Sequence, residues 1–170
     1  MFVLPPSQQK RVYVLAGRIF LVLAFGLLTA GTIYQTAITF TGEDITDLYA
    51  GYSPPDHLRR YPAEQAVMLL SLIAFMGLLA KKPFGWITAM VTAVMIPGTA
   101  LINAVSRFVN WGQFSWGLLN WLVLFVPLIL IIIALRQEFQ IGKKHWVWMA
   151  ALLGAMDILA IMQEYYKGFL

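Results

Sequence analysis

The chain contains no cysteine. Disulfides, thiolate metal sites, cysteine nucleophiles and thiol redox chemistry are therefore excluded. Histidine is scarce too: only His57 and His145 occur. The topology argued below places them on opposite sides of a membrane, so they cannot ligate one haem together, and no multi-histidine metal centre can form. No glycine-rich phosphate-binding loop is present, and no Ser-His-Asp set shares one side. Charge is the last shortage. Only 12% of the 170 residues are charged, where an average soluble domain carries roughly a quarter.

Apolar residues take up that space. They make up 60% of the chain, and the mean hydropathy is +0.74. This composition belongs to the membrane class. The isoelectric point near 9.5 would suggest nucleic acid in a soluble protein. Here the lysines and arginines sit at the ends of apolar segments, so no nucleic-acid partner is expected. The length suits a single transmembrane domain, 1–170. The first apolar stretch follows Lys10 and Arg11 and outruns the ~7–15-residue core of a signal sequence. It is expected to be a retained helix. No lipidation motif is found.

Apolar runs of about 18 or more residues can cross a hydrocarbon core ~30 Å thick. Five such segments are expected as helices, at about 13–40, 63–80, 84–106, 114–135 and 145–163. Pro62 and Pro83 open the second and third, and Gly42 and Gly142 follow the first and fourth. Proline at the start and glycine past the end is the expected asymmetry. The fifth segment is short and contains Asp157, so an interfacial helix is its alternative. The stretch 41–62 is the only long loop. It is polar, carries Pro54-Pro55 and has room for a short helix near 43–49.

With five spans, Lys10, Arg11, Arg18, Lys81, Lys82, Arg136, Lys143 and Lys144 gather on one side. Glu43, Asp44, Asp47, Asp56, Glu64 and Glu164 gather on the other, with Glu138 the exception. Basic loops stay in the cytoplasm. The expectation is an all-α membrane protein, a five-helix transmembrane bundle with its N-terminus cytoplasmic and its C-terminus outside, in a bacterial-type plasma membrane. Trp86, Trp146 and Trp148 would mark the inner interface. Trp111, Trp116, Tyr165 and Tyr166 would mark the outer one.

Asp157 is the leading candidate for chemistry. A carboxylate in hydrocarbon costs ~2.5–3.5 kcal/mol on insertion scales, so it is usually turned inward or paired. Ala150, Gly154 and Asp157 follow i, i+4, i+7 spacing, and small residues mark close helix contacts. Asp157 is therefore expected to face the bundle. There it serves either as a proton, cation or substrate ligand, or as a structural acid bonded to a neighbouring helix. Thr88, Thr92, Thr99 and Asn103 share one side of the third helix. Thr29, Thr32, Thr36 and Thr39, with Gln35 beside them, share one side of the first. A threonine can satisfy itself on its own helix carbonyl, whereas the amides of Gln35 and Asn103 need more partners.

Depth links these residues. Thr32 to Thr36, Ser71, Thr99, Asn120 and Asp157 all fall roughly 6–12 Å below the outer face at ~1.5 Å per residue. All five helices thus supply a polar group to one layer. It reads as an outward-opening pocket capped by the long loop, or as a network that locks the bundle. Pro97 and Pro127 free the carbonyls of Ala93 and Val123, either lining a cavity or fixing a kink. In the outer loop, Asp56, His57, Arg59 and Arg60 lie near Glu64. They suit an anionic head group or a metal, or simply a solvated loop.

The run Ala16-Gly17-Arg18-Ile19-Phe20 through Gly26, Gly31 and Tyr34 resembles the opening of DoxX-like small membrane proteins. Gly77 through Lys81-Lys82 into the third helix is similar to that family's middle hairpin. The resemblance covers about half the chain and implies a four-helix bundle, where five helices are expected here. No activity or site is carried over from it.

Three functions follow as expectations. The first is a non-catalytic accessory or assembly subunit of a membrane complex, since no catalytic constellation is present, the loops are short and faces such as 128–133 are wholly apolar. The second is a small-molecule or lipid-binding protein or carrier, with Asp157 at the base of the polar layer. The third is a membrane enzyme acting on a lipid or quinone through the His57 loop. The expected partners are the lipid bilayer, other membrane proteins or further copies of the chain, and a small apolar or lipid ligand. No cofactor is identified.

Overall fold

The computed structural model describes residues 6–41, 62–112 and 116–167. Within them the chain forms five helices and no strand: α1 (Pro6–Thr41), α2 (Pro62–Leu79), α3 (Pro83–Trp111), α4 (Trp116–Ala134) and α5 (Lys143–Lys167). Stretches of α1 (Gln8–Tyr34), α3 (Pro83–Leu101) and α5 (Lys143–Gln163) are long and apolar enough to cross a membrane. The apolar stretches of α2 (Gln65–Leu79) and α4 (Leu122–Ala134) are shorter. These features point to a membrane protein.

The helix ends follow backbone chemistry more closely than polarity. Polar residues from Ser106 onward suggest an early end to α3, but the helix runs on to Trp111. It stops where Gly112 takes the left-handed conformation (φ 64°) and its N–H bonds to Phe108 O. That closure is the single-bond C-terminal cap. Pro97 lies inside α3 without interrupting it. α2 ends differently. Lys82 N–H donates to Gly77 O (2.9 Å) and Lys81 N–H to Leu78 O (3.3 Å), with Lys81 at φ 53°. This is the paired-bond Schellman closure with lysine where glycine is usual. The turn after α4 repeats it. Ile141 N–H donates to Arg136 O and Gln140 N–H to Gln137 O, with Gln140 at φ 53°.

At the start of α5, the Nδ1 of His145 accepts the N–H of Gly142 (3.0 Å). A side chain three residues into a helix reaching back to the capping residue is capping-box geometry, with histidine in place of Glu or Gln.

α3 occupies the centre and packs on α2, α4 and α5, while α1 packs on α2 and, to a lesser extent, α4. The buried core takes Leu21 and Phe25 from α1, Leu78 from α2, Trp86 and Val91 from α3 and Ile132 from α4. Two glycines set the closest approach. A Cβ built on Gly77 would collide with the backbone of Gly85, and the reverse also holds. The α2–α3 hairpin therefore touches backbone to backbone near its turn, as small residues permit.

Trp86, expected at the inner interface, is fully buried inside the bundle. Its Nε1–H donates to Ile132 O at 2.6 Å, and its ring meets Trp146 edge-on at 5.3 Å. The last turn of a helix leaves carbonyls without intrahelical partners. In α4 the N–H of Arg136 bonds to Ile133 O, so Ile132 O is left for the indole.

Candidate functional site

Among the described side chains of the expected layer, Asn120 and Asp157 are exposed, while Ser71, Thr32 and Thr99 bond within their own helices. Ser71 is buried between α2 and α1, where its Oγ donates to Met68 O (2.7 Å) and lies 3.4 Å from Thr29 Oγ1. Thr29 donates to Phe25 O (2.7 Å), Thr32 to Thr29 O (2.9 Å) and Thr99 to Ile96 O (2.9 Å). Each threonine bonds back to its own helix, which is the local satisfaction expected of a hydroxyl there. Thr92 is fully buried, and its Oγ1 meets no hydrogen-bond partner among the described residues. Asn120 is exposed on α4. The side chains of Gln35 and Asn103, and the loop residues Asp56, His57, Arg59 and Arg60, lie outside the described residues.

Asp157 does not face the bundle. It is exposed, and so are Ala150 and Gly154. A Cβ built on Gly154 would meet nothing within 4 Å. The inward face of α5 carries instead Met149, Leu152, Leu153 and Met156, all packed on or in the core, and the buried Gln163. Both sets have helical spacing and lie about one residue apart in register. The larger side chains fill the gap toward α3 and α2. The small ones are left outside.

The outward face of α5 thus carries Ala150, Gly154 and the carboxylate of Asp157 among the larger exposed side chains of Val147, Ile158 and Ile161. Asp157 stands 14 residues beyond Lys143, about 21 Å along the axis, and six residues before Gln163, about 9 Å. It lies well inside the apolar stretch Lys143–Gln163. Only 6% of that stretch is buried within the chain, against 61% for the corresponding stretch of α3. An acid left facing hydrocarbon bears the insertion penalty of ~2.5–3.5 kcal/mol. Flanking alanine and glycine allow another helix to approach closely enough to share it.

Sequence reasoning missed Gln163. Its Oε1 accepts the N–H of Ala63 at 2.9 Å, across 100 residues of chain. Pro62 has no N–H, so Ala63 presents the first orphan donor of α2, and Gln163 caps it from α5. A cap supplied from so far along the chain leaves no local signal.

No family model, curated protein or solved structure matches this chain.

Proposed function

We propose that the protein is a non-catalytic, multi-pass membrane subunit that works as an accessory or assembly component of a larger membrane complex. In this reading all five helices cross the bilayer, with the N-terminus cytoplasmic and the C-terminus outside. The packing of α2 and α4 beside the membrane-length α3 supports the five spans. The gathering of Lys10, Arg11, Lys81, Lys82, Arg136, Lys143 and Lys144 at one end supports the orientation.

The observation that carries the assembly reading is Asp157, exposed on α5 beside Ala150 and Gly154 and among the exposed apolar side chains Val147, Ile158 and Ile161. A helix from another subunit covers that face, and the carboxyl group bonds across the contact. The carrier reading draws less support, because Asp157 and Asn120 lie on exposed faces. The enzyme reading rests on the His57 loop, which lies outside the described residues.

The test is assembly size after extraction in a mild detergent, read on a native gel or by mass photometry. Asp157→Leu should shift the protein from the complex to the free chain, with about a tenfold loss of association for an interhelical polar contact of ~1–2 kcal/mol. Asp157→Asn should keep the complex, since an amide makes the same interhelical bonds. If Asp157→Leu leaves the complex intact, the assembly reading fails. Loss of the complex with Asn as well as Leu would instead point to a role for the charge itself.

A further inference from the structure

At the basic end of the bundle, three segments enclose a cleft of about 460 Å³. α1 lines it with Lys10, Arg11, Val14, Leu15 and Arg18, the α2–α3 turn with Lys81, and the turn after α4 with Glu138. Four cationic side chains and one carboxylate therefore line the same cleft. Glu138 offsets only Lys81, at 3.6 Å with both side chains partly exposed. Arg18 is held in place by donating from Nη2 to Leu79 O (2.8 Å), a carbonyl at the end of α2. Lys10 and Arg11 have no ion-pair partner among the described residues. Their charges face the cleft uncompensated.

The walls are not uniformly polar. Val14 and Leu15 are apolar members of the lining, on the same helix as Lys10. Leu15, Ile19, Leu23 and Leu27 then continue as a stripe at every fourth residue, each more than half exposed. From Leu15 to Leu27 the stripe runs about 18 Å at 1.5 Å per residue. One leaflet of a ~30 Å hydrocarbon core is of similar depth. A cationic socket opening onto an apolar track of that length has the two-part chemistry of a phospholipid.

We propose that the Lys10–Arg11–Arg18–Lys81 cleft binds the phosphate of an anionic phospholipid head group, with the acyl chain lying along the Leu15–Leu27 stripe. The shared chemistry is a phosphate, and the apolar track identifies its source as lipid. The inference rests on the membrane-spanning reading of the chain and is independent of the Asp157 contact. Clusters of Lys and Arg at the cytoplasmic ends of helices are suited to anionic head groups.

The experiment is native mass spectrometry of the full chain in detergent, titrated in separate arms with phosphatidylglycerol, phosphatidylcholine and inorganic phosphate. One phosphatidylglycerol should bind in preference to phosphatidylcholine, and inorganic phosphate should not displace it. The double variant Lys10→Gln/Arg11→Gln should weaken phosphatidylglycerol binding by about tenfold or more, given ~1 kcal/mol per basic residue. Lys143→Gln/Lys144→Gln removes the same charge from the start of α5, outside the cleft, and should leave binding unchanged. Glu138→Gln removes the one opposing charge and should tighten binding several-fold, an effect that misfolding cannot mimic. Equal weakening by the two double variants would reduce the site to diffuse surface charge and overturn the proposal. So would equal binding of the two lipids, displacement by inorganic phosphate, or no tightening with Glu138→Gln.

Discussion

The indole of Trp86 does two jobs at once: it fills buried space in the first turn of α3 and closes an open carbonyl of α4. Trp86→Phe keeps an aromatic ring against Trp146 but removes the N–H, leaving Ile132 O buried and unpaired. An unsatisfied buried group costs about 1–3 kcal/mol. The variant should unfold at a clearly lower temperature in detergent, and an unchanged melting point would show that the bond contributes nothing. The sequence places a tryptophan at the end of an apolar run, which ordinarily marks an interface. It does not show that the turn after Ala134 tightens and leaves Ile132 O free. The outward position of Asp157 is hidden in the sequence for a related reason. Spacing shows which residues share a face with it, but not which face turns inward. That choice falls to the bulk of Met149, Leu152, Leu153 and Met156, which fit against the neighbouring helices where Ala150 and Gly154 would leave a gap. Ser71, Thr29, Thr32 and Thr99 satisfy their hydroxyls on carbonyls of their own helices through rotamers that no spacing rule supplies, whereas Thr92 Oγ1 has no partner among the described residues.

Among the elements, helix existence was the most legible feature, because long apolar runs bounded by proline and glycine leave few alternatives. The ends were less so. Lys81 and Gln140 take left-handed turns without glycine, so the closures they make carry no compositional mark. Gly77 and Gly85 show the opposite case: common residues in any membrane helix, yet here fixed by contact. Gly85→Ala should force α2 and α3 apart at their turn. Overpacking typically costs about 1–3 kcal/mol, and a collision with backbone, which cannot rotate aside, places this substitution at the upper end. Thermal unfolding of Gly85→Ala beside Gly31→Ala is the comparison to make, since a Cβ on Gly31 meets nothing. Equal melting temperatures would show that the hairpin is looser than drawn here.

For the whole molecule, the proposed five crossings put the two chain ends on opposite faces of the bilayer. The absence of cysteine makes this direct to test. With Gln8→Cys and Lys167→Cys as single labels, an impermeant maleimide should reach position 167 in intact cells and position 8 only after permeabilisation. Equal labelling of both positions from one side would mean an even number of crossings. Burial is uneven across the bundle, with α3 enclosed and α5 largely bare, yet the bare helix is not merely appended. Its Gln163 satisfies the opening N–H of α2. The start of α2 is thereby tied to α5 across 100 residues of chain, so α5 acts as a latch on the α2–α3 hairpin.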